Sequence, residues 1–161
     1  DLAAYHEAHA SRYVRPAKVT FTHHFFSTNR RESAFQDAQA ALIQVSAGQD
    51  VASDSFIQHR DYVDRTHRQI SEVFGSDFAD QVLQAAPGQG DLDDPRPSWV
   101  GPFQSSYGYH LVALQGFDPG GRETFDEAYD RIVIDYETDL KSKAKDQFFE
   151  TLLTEYDVVR E

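Results

Sequence analysis

Cysteine is absent from the 161 residues, which removes disulfides, thiolate nucleophiles and Cys-based zinc sites together. Methionine is absent too, and tryptophan occurs once. Positive charge is scarce. Fifteen basic residues face 27 acidic ones for a formal net charge of −12, so nucleic acid and anionic membrane surfaces would be repelled. No run of 18 apolar residues occurs, and so no stretch reads as a membrane-spanning helix. There is also no basic-then-apolar leader. Beginning at Asp1 and lacking methionine, the sequence reads as a piece of a longer or processed protein, and any membrane link would run through a missing upstream segment. The want of cysteine fits an address outside the cytoplasm. What is present is a core: 40% of the residues are apolar, with 12 Phe and 8 Tyr. That suits one domain of about 100 residues with an accessory element.

Leu2, Tyr5, His9 and Tyr13 recur at helical spacing before Pro16, which predicts a helix over residues 2–14. Val19 to Phe26, rich in β-branched and aromatic residues, predicts a strand. Arg30 to Ala47 places Ala34, Phe35, Ala38, Ala41, Leu42 and Val45 on one helical face, and Gly48 supplies a stop. Residues 49–65 carry charges between their apolar positions and read as an edge strand or a loop. Thr66 to Gln69 is a capping-box pattern, and Ser76 opens a second short helix that stops at Pro87-Gly88. Gly88 to Pro97 reads as a loop. Trp99 to Gln104 and Tyr109 to Gly116 predict a hairpin with His110, Val112 and Leu114 on one face.

A second capping box at Thr124 opens a stripe of Phe125, Tyr129, Ile132, Tyr136, Leu140, Ala144, Phe148 and Leu152. A helix of that length, roughly 40 Å, exceeds the width of a 100-residue core, so part of it must find cover elsewhere. The N-terminal helix is the simplest cover. Tyr156 to Val159 alternates like a terminal strand. The order is α+β: a small, mostly antiparallel sheet covered by helices, with N- and C-terminal helical extensions. The expected divisions are an N-terminal flanking helix over 1–17, a core domain over 18–117, and a long helix with a terminal strand over 118–161.

Two features invite a chemical reading. "VTFTHHFFS" sets His23 and His24 inside the first strand, and "SSYGYHLV" sets His110 at the start of another. A histidine pair on neighbouring strands also suits a plain structural core. His6 and His9 stand at i, i+3, whereas the helical zinc-protease motif needs i, i+4 with a Glu between. His59 to Asp64, "HRDYVD", echoes a kinase catalytic loop without the Gly-rich loop, strand lysine or Asp-Phe-Gly that would accompany it. No metal or cofactor is implied.

His23-His24-Phe25-Phe26, followed by a long helix, and Gly108-Tyr109-His110-Leu111-Val112, preceded by Gly101-Pro102-Phe103, together resemble the parvulin-type (PpiC-like) peptidyl-prolyl cis-trans isomerases over about residues 18–116. The resemblance implies the parvulin-like fold and a site in which His23 and His110 share a hydrogen-bond network with hydroxyl groups, here Ser105 and Tyr107. It implies a proline pocket from Phe74 and Phe78, with Gly88 following. His24, on the opposite strand face, would lie outside. The family usually has a Cys or Asp facing the bond. Residues 49–65 do not align cleanly there, and Asp54 and Asp61 are the acidic candidates. The flanking helices resemble those of extracytoplasmic parvulin-containing folding factors. The implied partners are unfolded or Pro-containing polypeptide clients, and the activity is prolyl isomerisation, a chaperone-like hold, or binding alone.

Overall fold

The computed structural model describes residues 1–86 and 98–159. The loop expected over Gly88 to Pro97, and with it Gly88, lies outside them. The chain divides into two compact units, Pro16–Gly120 and, separately, Asp1–Arg15 with the chain from Gly121 on.

The first unit is a four-stranded antiparallel sheet ordered β3-β2-β5-β4, from β2 (Lys18–Ser27), β3 (Asp61–Thr66), β4 (Ser98–Gln104) and β5 (Gly108–Asp118). Its two faces are covered by different helices. α2 (Ala34–Ser46) buries Ala34, Ala38 and Ala41 against Phe26 and Leu111, with Trp99 packed beside them. The small alanines let this helix lie close to the sheet. α3 (His67–Phe74) and α4 (Ser76–Ala85) bury Ile70, Phe74, Phe78 and Val82 against Val19, Phe21 and Val112 on the other face. Each such aromatic contributes about 1.5–3 kcal/mol by leaving water. The Thr66 capping box forms, with Thr66 Oγ1 accepting from Gln69 N–H and Gln69 Oε1 from Thr66 N–H.

Residues 49–65 resolve into an isolated bridge, Asp54 to Phe25, and then β3 at the sheet edge. α2 starts with its apolar face at Ala34 and not at the expected Arg30, because the Arg30 and Arg31 N–H groups both turn back to the Ser27 carbonyl. It ends before Gly48, whose φ of 80° suits glycine.

In the second unit the expected helix over 2–14 is shorter: α1 spans Leu2–Ala8. His9 Nδ1 engages the Tyr5 carbonyl at 2.9 Å, a tight turn follows over Ala10–Arg12, and Tyr13 is carried inward to Asp135 at 2.9 Å. β1 (Val14–Arg15) then pairs with β6 (Gly121–Arg122). His6 Nε2 meets the Glu123 carbonyl at 3.1 Å, so both histidines of the i, i+3 pair serve local structure.

The terminal strand expected at Tyr156 to Val159 is not formed. α5 is one helix from Phe125 to Val159, 35 residues and about 52 Å long. No Gly or Pro interrupts it, and helix elongation needs only local hydrogen bonds where a strand would need a free sheet edge. Its first part is covered, Ala128 and Ile132 being buried with Tyr5 and Tyr13 while Phe125 and Tyr136 pack alongside. Tyr5 hydrogen-bonds Asp139, which Arg12 also reaches at 3.0 Å. Beyond that, Leu140, Phe148 and Leu152 of the predicted stripe are exposed. Among the described residues no helix is long and apolar enough to cross a membrane.

Candidate functional site

Alternation along β2 sends His23 and Phe25 toward α3 and α4, and His24 and Phe26 toward α2. Phe25 stands directly opposite His110 in the ladder, and His23 opposite Val112, so the two histidines are diagonal neighbours. Their Nδ1 atoms meet at 3.0 Å, with His23 3% exposed and His110 fully buried. The turn before β5 fixes His110 in place. Ser105 N–H donates to the Gly108 carbonyl at 2.8 Å, and a Cβ on Gly108 would come within 2.3 Å of the Phe26 carbonyl oxygen. No other residue fits there.

The proton positions along this pair follow from one carbonyl. His23 Nε2 lies 3.0 Å from the His59 backbone oxygen, which only accepts, so His23 carries its proton on Nε2. Neutral His23 then accepts at Nδ1, and His110 donates from its own Nδ1. His110 Nε2 is left as an acceptor and takes the proton of Ser105 Oγ at 2.6 Å. Ser105 Oγ in turn accepts the Tyr107 N–H at 3.1 Å. The chain Tyr107 to Ser105 to His110 to His23 to His59 therefore has every member satisfied and one direction throughout.

Burial drives both histidines toward neutrality. His110 is pushed down to about 3, first by burial and then by the charge its neighbour His23 would carry. His23 is also lowered by burial, against the opposing pull of the His59 carbonyl. At neutral pH both rings are uncharged.

Aromatic rings enclose the pair. Phe74 stands edge-on to His23 and His110 at 5.4 and 5.2 Å, and Phe78 edge-on to His110 at 5.1 Å. Phe74 and Phe78 stack on each other at 4.4 Å, and both are only 1% exposed. They border a cleft of about 680 Å³ together with Gly75, Gln104 and Ser105. A second cleft of about 270 Å³ is lined by His23, Phe25, Asp54, Phe56 and Arg60.

The structure separates the two acidic candidates. Asp54 borders the second cleft, while Asp61 is exposed on β3. Burial works to raise Asp54, but hydrogen bonds from Arg31 and from Ser27 N–H, at 2.9 and 2.8 Å, hold it below the usual carboxylate range. It is an anion at neutral pH. Tyr107 brings its backbone N–H and its ring, the latter edge-on to Phe56 at 5.3 Å. His24 lies on the other side of the sheet, stacked on Trp99 at 4.7 Å and 3.0 Å from Ser53 Oγ. Among the described residues no cluster of three or more His, Asp or Glu side chains is placed to hold a metal.

Sequence reasoning missed two participants. His59 acts only through its backbone oxygen, which no side-chain pattern reports. Phe56 packs against Phe74, His23, His110 and Phe25. Its one signal is a lone aromatic in the polar run "SDSFIQ".

Residues 1–130 match the family of the PPIC-type PPIASE domain. No curated protein matches the chain. Among solved structures, one from work on the virulence factor PEB4 and the periplasmic protein Cj1289 of Campylobacter jejuni, two structurally related SurA-like chaperones, aligns with a TM-score of 0.55 at 18% identity. The alignment covers 95% of this chain and 60% of that one, so the likeness is one of fold and spans less than two thirds of the longer protein.

Proposed function

We propose, from the premise that this chain belongs to the PPIC-type PPIase domain family, that it is a folding factor acting on polypeptide clients by easing rotation about X-Pro bonds. The observation that carries the reading is the one-directional hydrogen-bond chain through His23, His110 and Ser105, set against stacked phenylalanines.

The physics asks for little more. Amide resonance sets a barrier of about 18–20 kcal/mol, and holding the twisted amide better than the planar one lowers it without any covalent step. A ring pocket holds the proline while the neighbouring amide turns. A site lined by Phe25, Phe56 and Phe74 removes water that would favour the planar, more polar amide. His23 and His110 stay neutral, so they stiffen the floor of the site without adding a charge that would need solvation. The Asp54 anion, paired with Arg31, and the Arg60 cation both border the smaller cleft.

A second reading, that the chain binds clients without catalysing, is favoured by one fact: the histidines, Phe74 and Phe78 are all buried, so a client ring does not reach them in this conformation. The periplasmic setting of the structural neighbour and the absence of cysteine support work outside the cytoplasm.

Cis-to-trans exchange of a panel of X-Pro peptides, followed by NMR with the chain and with Ser105→Ala, separates the readings. Ser105→Ala keeps the shape and removes one donor. Acceleration that falls about tenfold or more in the variant supports catalysis; peptide binding with no acceleration by the folded chain supports the binding module.

A further inference from the structure

Resting on the reading of this site as a client pocket, we infer that Phe56 occupies the ring position of that pocket, and that a client's proline or aromatic side chain enters by displacing it. The Phe56 ring lies parallel on Phe74, at 5.3 Å and 8°. It is edge-on to His23 at 5.0 Å, to His110 at 5.5 Å, to Phe25 at 5.1 Å and to Tyr107 at 5.3 Å. Those contacts form a cup with a flat aromatic floor and edge-on walls, the surroundings an apolar ring prefers. The same rings that would grip a client ring already grip one.

The segment carrying Phe56 is built to let go. It is pinned on one side at Asp54, whose N–H reaches the Phe25 carbonyl at 2.7 Å and whose carboxylate is clamped by Arg31. It is pinned on the other by the His59 carbonyl on His23 and the Arg60 carbonyl on His23 N–H. Between those anchors the backbone is irregular, held at the Ser55 carbonyl by the exposed Arg30 at 3.0 Å, and Phe56 is flanked by exposed Ser55 and Ile57, the latter 79% exposed. Phe56 itself is half-buried. The 270 Å³ cleft between Phe56, Phe25 and Asp54 adjoins the ring. The ligand class follows from the cup: a flat or five-membered apolar ring on an extended polypeptide.

An occupied pocket weakens apparent affinity by the fraction of molecules in which it is open. Removing the Phe56 ring should therefore tighten binding. The test titrates wild type and Phe56→Ala with the peptide Ala-Ala-Pro-Ala and with Ala-Ala-Gly-Ala, following the ring signals of His23 and His110 by NMR. The inference expects Phe56→Ala to bind the Pro peptide about tenfold or more tighter than wild type, with both histidine signals moving and little response to the Gly peptide. Equal affinity in the two proteins, with the histidine signals moving, overturns the displacement while the client pocket stands. No movement of those signals in either folded protein removes the pocket and the inference together. Should Phe56→Ala fail to fold, the same chain bearing 4-fluorophenylalanine at position 56 decides: its fluorine signal should shift toward the solvent-exposed value as the Pro peptide saturates, and an unmoved signal with peptide bound at the histidines overturns the proposal.

Discussion

His23 and His24 are adjacent in sequence, yet they inhabit opposite sides of one sheet and opposite chemical regimes. His23 sits in a dry ring cage, with both nitrogens committed and its backbone N–H held by Arg60. His24 lies on a Trp99 face beside a cleft of about 640 Å³ and is bonded to a serine hydroxyl. Burial lowers the pKa of both, and the nearby Arg60 charge helps in each case. The difference is coupling. Removing His24 disturbs a stack, whereas removing either member of the other pair leaves committed partners behind.

The largest expected effect tests the cage itself. Phe74→Ala removes the ring that backs Phe56, Phe78 and both histidines, and should cost about 3–5 kcal/mol in urea unfolding. His110→Ala should cost about 2–3 kcal/mol, because His23 Nδ1 and the Ser105 hydroxyl then lose their partner in a buried place. If His110→Ala proved no more costly than His24→Ala, the asymmetry between the faces would collapse.

The pH response sharpens the same contrast. The folded pKa of His110, about 3, lies below the unfolded value near 6.5, so the unfolded chain binds the extra proton as pH falls. Stability from this group is complete above about pH 6.5 and declines steadily as pH drops toward 3. Between pH 6.5 and 5 the loss is on the order of 2 kcal/mol. Unfolding midpoints at those two values should show most of that slope vanishing in His110→Ala and much less of it vanishing in His24→Ala. At neutral pH, His24→Ala is the smallest change expected, below about 1 kcal/mol, as thermal unfolding would report.

How far these features could be read beforehand depends on whether a feature is local. Strand β2, the Thr66 and Thr124 capping boxes and the β4–β5 hairpin carrying His110 are legible because each is written in neighbouring residues, whereas β3 at the sheet edge is not. Alternation places His23 and His24 on opposite faces, while the pairing of His23 with His110 follows from the family resemblance and not from the pattern alone. The ends of α1 and α5 are different. Tyr13 leaves the helical pattern to reach Asp135, a contact 122 positions away, and Tyr156 to Val159 stay helical because nothing breaks the ladder. Phe56 and the His59 carbonyl were invisible for the same reason: their meaning lies in what the fold lays against them. The Gly101 backbone, at φ 128° with a Cβ position 2.7 Å from the His110 carbonyl, likewise declares itself only once β4 and β5 are paired.

α5 carries a consequence for hydrogen exchange. One unbroken ladder runs from Phe125 to Val159, but among the described residues the buried contacts lie before Asp139, and Leu140, Phe148, Phe149, Leu152 and Leu153 are exposed. Helical hydrogen bonds without packing are individually marginal in water, so amide protection should follow the cover and not the ladder. The amides of Ala128 to Tyr136 should exchange through openings of the whole unit, while those from Lys141 to Leu153 should exchange by local openings of the helix, turn by turn. A helix continuous in geometry would then behave in time as two, with its boundary where Arg12 and Tyr5 hold Asp139.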